Sequence, residues 1–211
     1  MASHLTLTTA RPLIPFRAAI IVTVAMAVVY TALDVLQPPE LMQSLLAFIP
    51  GGLSLLALGG AGLSRTDLNL RFATISRPGL AVLGATTLLL LPILAPNTGW
   101  IGWQWIPALV IAPASGIAQE LYFRGALLPG LEHLFTGKKT LALLVHSAIF
   151  IGFHLRTFRS IPMLPMVFAV AVVLFLAGCG WGWQVQRDRT VVWTMLQHSL
   201  FLVLMSMFAW G

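Results

Sequence analysis

The stretch SGIAQELYFRGALLPGLEHLFTGKKTLALLVHSAIFIGFHL, residues 115–155, decides how the chain folds. Two apolar helical runs are joined by a short polar turn at Gly137, Lys138 and Lys139. The first run carries Gln119, Glu120 and Arg124, and the second ends on Phe150 and His154. Ionisable groups within segments this apolar are costly, and by default they mark a functional site. The halves of such a hairpin run antiparallel. The start of one therefore lies at the depth of the end of the other, and Glu120 and His154 are expected to share a level.

Composition places this hairpin in a membrane. Of 211 residues, 58% are hydrophobic and 9% charged, and the mean hydropathy is +0.92. Soluble domains carry about 25% charged residues, so these few cannot cover a surface that faces water. The formal charge of +6 is not a nucleic-acid footprint. Its basic residues sit singly or in pairs at the ends of apolar segments, where they mark loops and contacts to anionic headgroups. The single cysteine, Cys179, excludes an intramolecular disulfide and reads as a packing residue. There is no Cys-rich or His-x-x-x-His zinc pattern, and no metal or cofactor is expected. The apolar run after MASHLTLTTARPLIPFR lacks a small-residue cleavage site, because Asp34 and Pro38-Pro39 follow it, and it reads as a retained first span.

Crossing about 30 Å of hydrocarbon takes roughly 20 residues. On that scale the chain predicts one all-α, polytopic transmembrane bundle over residues 1–211, of about seven spans. These are 17–34, 41–63, 80–95, 113–135, 140–155, 161–183 and 190–210. An eighth is possible within 96–112, where Trp100, Trp103 and Trp105 read as interface residues. Pro50-Gly51-Gly52 predicts a kink or break in the second span. Residues 64–79 predict a polar loop, with room for a short interfacial helix. Pro113 suits a helix start. With seven spans and a cytoplasmic N-terminus, Arg11, Arg17, Arg65, Arg71, Arg77, Lys138, Lys139, Arg187 and Arg189 lie inside, and only Arg156 and Arg159 outside. The Glu120/His154 end then faces outward.

Arg124 is one turn after Glu120, on the same helix face. The pair reads either as a structural ion pair between helices or as a carboxylate held for general-base work on water. His154 taken alone could be an interfacial histidine. His146 lies off its face by about 80° and reads as structural, while His133 and His4 read as loop or interface residues. His198, inside VVWTMLQHSLFLVLMSMF, must face the bundle interior and find a partner. It can bond a carbonyl or a developing oxyanion. Its neighbour Gln197 points about 100° away.

The stretch from Gln119 to Gly125 resembles the Glu-Glu-x-x-x-Arg motif of the CPBP family. That family comprises the CAAX-processing type II prenyl endopeptidases, the bacteriocin-processing and abortive-infection proteins, and the lysostaphin-resistance-like proteins. Phe150-x-x-x-His154 is similar to the family's Phe-x-x-x-His motif, and His198-x-x-x-Leu202 to the start of its His-x-x-x-Asn motif. The motif-bearing half spans about 113–211. The resemblance implies a glutamic intramembrane endopeptidase without a metal. In the family, the motif glutamate and the second-motif histidine activate water, and the third-motif histidine and asparagine stabilise the oxyanion. Carried over, Glu120, His154 and His198 are catalytic and Gln119, Arg124, Phe150 and Leu202 supporting.

Two positions depart from the family pattern. Gln119 stands where the family has its first glutamate, and glutamine cannot accept a proton. Leu202 stands where asparagine would donate to the oxyanion. The expected function is cleavage of a peptide or membrane-anchored protein near the bilayer surface, in a bacterial inner membrane, with lipid and substrate as partners and no nucleic acid. The alternative is a pseudoprotease that serves as scaffold or regulator. A transporter fits less well, because the ionisable residues cluster at one level instead of forming a path across the bilayer.

Overall fold

The computed structural model describes residues 12–36, 39–94, 99–100, 102–159 and 161–209. His4, Arg11 and Pro38 lie outside them. Apart from one pair of two-residue strands, Gly99–Trp100 against Phe208–Ala209, the fold is all-helical.

Helix α1 spans Phe16–Leu36 and packs along α3, Phe48–Gly60. The short α2, Glu40–Leu46, precedes α3 and is separated from it at Ala47. In place of a break at Pro50-Gly51-Gly52, the irregularity is one residue, Ala47, N-terminal to the proline, and its backbone stays in the helical region (φ −61°, ψ −21°). A proline ring clashes with the carbonyl four residues earlier, which here belongs to Leu46, the last residue of α2. Gly51 allows the backbones to approach closely, since a Cβ there would lie 3.3 Å from the amide nitrogen of Tyr122.

Residues 64–76 form turns and no helix. Asp67 accepts bonds from the Ser64 amide at 2.9 Å and the Ser64 hydroxyl at 2.6 Å. The rest of the loop is tied to the distal end of the chain. The indole of Trp193 donates to the Ala73 carbonyl, and the carboxylate of Asp188 accepts from the Ser76 amide. Helix α4, Arg77–Leu94, begins three residues before the expected start.

The fourth predicted span is longer than its sequence suggested. Helical backbone runs without interruption from residue 105 to Leu134. It comprises a π segment Pro107–Ile111, α5 Ala112–Glu120, a second π segment Leu121–Leu127 and α6 Leu128–Leu134. Pro113 therefore lies inside this helix, one residue into α5. The π turn before it adapts the ladder to the missing N–H. Within 96–112, where the sequence left room for an eighth span, residues 105–112 form the first turns of this helix. Every residue from Tyr122 to Glu132 is buried, as expected of a helix apolar on all sides.

Around this central helix stand α7, Lys139–Phe153; the short α8, Leu155–Arg159; α9, Leu164–Asp188; and α10, Val192–Met205. Helix α9 runs five residues past its expected end, and left-handed Arg189 (φ 55°) caps it. Helix α7 packs on α9, and α10 on α5. The α5–α10 crossing is close. A Cβ on Gly116 would lie 2.9 Å from the Ser199 Cα. The larger core cluster is aromatic, with Tyr30, Tyr122, Phe123, Phe150, Phe153 and Trp181. A smaller one joins Ile20, Leu58, Leu68 and Ala126.

Three helical stretches among the described residues are long and apolar enough to cross a membrane: Phe16–Leu36, Leu41–Gly60 and Leu164–Asp188. They bury little of themselves. Ile21, Val28, Leu56 and Phe168 each expose two thirds or more of their surface. Apolar side chains displayed this way suit hydrocarbon, not water. Helices α7 and α10 are apolar but shorter.

Candidate functional site

The site is built on the second π segment and its approaches. The amide of Leu128 donates to the Phe123 carbonyl, five residues back, which is the signature of a π turn. Such turns are frequent at functional sites because they widen the helix locally and re-aim its side chains. Glu120 is the last residue before this segment and Arg124 lies inside it.

Arg124 donates from Nη1 to Oε1 of Glu120 at 2.8 Å, and both side chains are fully buried. Nδ1 of His198, from α10, lies 2.8 Å from that same oxygen. One carboxylate oxygen thus joins two helices. The second oxygen, Oε2, is buried and has no protein partner. Thr194, one turn before His198 and also buried, lies beside the carboxylate.

Arg124 is caged by aromatic rings. Its guanidinium carbon lies 4.3 Å from the Phe150 ring centre, 5.1 Å from Trp181 and 5.8 Å from Phe123. A desolvated cation over such faces gains about 2 kcal/mol. The guanidinium Nε and Nη2 have no protein partner, so the rings and Glu120 carry much of its compensation. Trp181 also stacks on the His198 ring, with centroids 4.9 Å apart and planes 27° apart. Its indole N–H donates to Oε1 of Gln197 at 2.6 Å, and Nε2 of Gln197 donates to the Leu83 carbonyl at 2.6 Å. Gln197 does point away from the carboxylate. It braces the indole that braces His198.

His154 caps α7. Its Nδ1 lies 2.8 Å from the Phe150 carbonyl, and its ring packs edge-on to Phe150 at 4.7 Å. It makes no hydrogen bond to Glu120. Phe150 contacts both neighbourhoods, since its ring packs against the Arg124 guanidinium and against the His154 ring. His154 and His198 are close enough to interact electrostatically. The structure therefore brings Glu120, Arg124 and His198 into direct contact, with Phe150 and His154 in the next layer.

The other expected residues sit at the margins. Gln119 is half-buried, and its buried Oε1 has no protein partner. Leu202 is half-buried one turn after His198, with no polar atom to offer. His133 packs against Phe16 at 5.6 Å. Trp103 and Trp105 are exposed and meet edge to face at 5.5 Å.

Sequence reasoning missed Trp181 and Tyr122. The Tyr122 hydroxyl donates to the Thr23 carbonyl at 2.8 Å and ties the motif helix to α1. His146 is fully buried, edge-on to Phe123, with neither ring nitrogen hydrogen-bonded. The periodicity of α7 separates His146 from His154, but it does not show that both line the core around Phe123.

The described residues thus hold a buried Glu–Arg–His cluster at the crossing of two apolar helices, with a second histidine one aromatic ring away. The charged pair can orient an imidazole, and an imidazole can exchange a proton with water. No curated protein and no solved structure matches the chain. Residues 101–204 match the family model described as type II CAAX prenyl endopeptidase Rce1-like, which spans the central helix, α7, α9 and nearly all of α10. The match is to a protease family, and together with the long apolar helices it supports an integral membrane protein. Over those residues the chain is similar to the Rce1-like type II CAAX prenyl endopeptidases, which is consistent with the CPBP resemblance of its Gln119–Gly125, Phe150–His154 and His198–Leu202 stretches.

Proposed function

We propose that the chain is an intramembrane endopeptidase that uses Glu120, His154 and His198, without a metal, to direct water onto a peptide bond near the bilayer surface. Its substrate is a peptide or a membrane-anchored protein. The chain sits in a bacterial inner membrane with its N-terminus in the cytoplasm and about seven spans, the shorter apolar helices included. The observation that carries this reading is the single Oε1 of Glu120 joining Arg124 and His198 at 2.8 Å each, inside a chain of a protease family. A carboxylate already engaged by a guanidinium is a poor cation ligand, because the fixed positive charge repels a second one. This supports a metal-independent mechanism. Arg124 holds Glu120 in place, Phe150 holds both Arg124 and His154, and the histidines face the reacting groups.

A second reading, a pseudoprotease that binds its target without cutting it, draws support from Gln119 and Leu202. Back-substitution separates the two. In a peptidase assay with purified protein in lipid bilayers, Leu202→Asn restores an oxyanion donor, an interaction worth about 10²–10³ in rate. The endopeptidase reading expects measurable wild-type cleavage that rises with Leu202→Asn, alone or with Gln119→Glu. A silent wild type that gains activity only in the double variant would favour the pseudoprotease.

A further inference from the structure

This inference rests on the peptidase reading and assigns the proton within it. The family resemblance gives the motif carboxylate the role of base and the third-motif histidine that of oxyanion partner. The geometry points to a different division: we infer that Nε2 of His198 takes the proton from the attacking water, and that Glu120 is the positioning residue that fixes the His198 ring.

Glu120 is poorly placed to meet water. Its Oε1 already serves Arg124 and His198, and its Oε2 is sealed in the core. A general base must come within hydrogen-bond reach of the proton it removes. His198 is placed differently. An ionised carboxylate only accepts hydrogen bonds, so the contact at 2.8 Å puts a proton on Nδ1 of His198. In the neutral ring Nε2 then carries the lone pair. Among the described residues Nε2 has no hydrogen-bond partner, and the His198 side chain, unlike that of fully buried His146, keeps about 5% of its surface exposed. The ring plane is fixed by Trp181, itself held by Gln197.

The same argument extends to His154. A backbone carbonyl also only accepts, so the contact of Nδ1 with Phe150 places the proton on Nδ1 there too. Both histidines therefore present Nε2 lone pairs. His198 alone has a carboxylate behind it, which stabilises the imidazolium that forms when a proton arrives. The step balances as follows. A water O–H proton moves to Nε2 of His198 while the oxygen bonds to the scissile carbonyl carbon. The tetrahedral centre then collapses, the C–N bond breaks, and the Nε2 proton passes to the departing amine. No carboxylate at position 119 is needed, which accounts for the glutamine there.

The test reads proton placement directly. The full chain, labelled with ¹⁵N-histidine and held in lipid nanodiscs, is observed by NMR at the pH of the cleavage assay. His154→Gln and His198→Gln variants assign the signals. The expected result is the Nδ1–H tautomer at both His198 and His154. In parallel, cleavage of a fluorogenic peptide anchored in the bilayer by one acyl chain should fall about 10²–10⁴-fold in His198→Gln. Glu120→Gln should lower kcat with KM retained, and its His198 signal should lose the wild-type tautomer. A proton on Nε2 of wild-type His198, whether in the other neutral tautomer or in the imidazolium, overturns the assignment, because that atom then donates and cannot accept. Cleavage with His198 still on Nδ1–H but indifferent to His198→Gln also overturns it. A wild type that cleaves no peptide overturns the peptidase reading, and the assignment falls with it.

Discussion

Arg124→Ala is expected to destabilise the folded protein by about 3–5 kcal/mol, because it leaves the Glu120 carboxylate buried and uncompensated. His198 contacts the same oxygen through Nδ1, and the second oxygen has no protein partner. The aromatic cage around the guanidinium collapses in the same step, since Phe150 and Trp181 lose the cation they face. Reversible unfolding in mixed micelles checks the magnitude. The double variant Glu120→Leu/Arg124→Met should recover most of the stability, as buried pairs replaced by apolar residues of similar volume commonly do. It should recover no activity. That contrast separates what the pair does for the fold from what it does for the site. Should the double variant be no more stable than Arg124→Ala, the pair is not the coupled unit described here.

Phe150→Ala carries the second large effect, about 3–5 kcal/mol of stability, the usual cost of truncating a buried phenylalanine. The ring is almost fully buried, lies 4.3 Å from the Arg124 guanidinium and meets Phe123 edge-on at 5.1 Å. It also packs against the His154 ring, 4.7 Å away. Phe150→Leu keeps most of the volume and loses only the π face, so it should cost less in stability than Phe150→Ala. Equal losses for the two would mean that the π face, and not the volume the ring fills, carries the effect.

The sequence showed a good deal of this arrangement. Apolar runs broken by charged turns give the order of the helices, and helical spacing alone pairs Glu120 with Arg124. A histidine deep in an apolar run has to find a buried partner, and His198 finds Glu120. Other features depend on tertiary packing. The central helix begins well before Pro113, because a π turn adapts its ladder ahead of the proline. No periodicity rule built on a regular helix reports that, and the second π segment, Leu121–Leu127, was equally invisible. The kink or break in the second apolar run was expected at its proline, and the one irregular residue, Ala47, falls before it, where the ring meets the preceding turn. Trp181 read as one more apolar residue of a long span. Its importance comes from the packing of α9, which sets its indole over both Arg124 and His198.

The level of His154 was legible, but its contact was not. The hairpin brings Glu120 and His154 to one region, as antiparallel helices with a short turn must. The turn of backbone that ends α7 then directs Nδ1 to its own Phe150 carbonyl. Sequence spacing sets which helix ends meet. It does not set which atom of a ring faces which acceptor.

The central claim is that the Glu120–His154–His198 cluster cleaves peptide bonds at the membrane. The most direct test is cleavage of a bilayer-anchored reporter peptide by the purified chain and by Glu120→Ala and His154→Ala, each first shown to be folded by its helical circular dichroism. The account predicts wild-type cleavage that falls by about 10²–10⁴ in both variants. Cleavage that persists undiminished in both folded variants would contradict it.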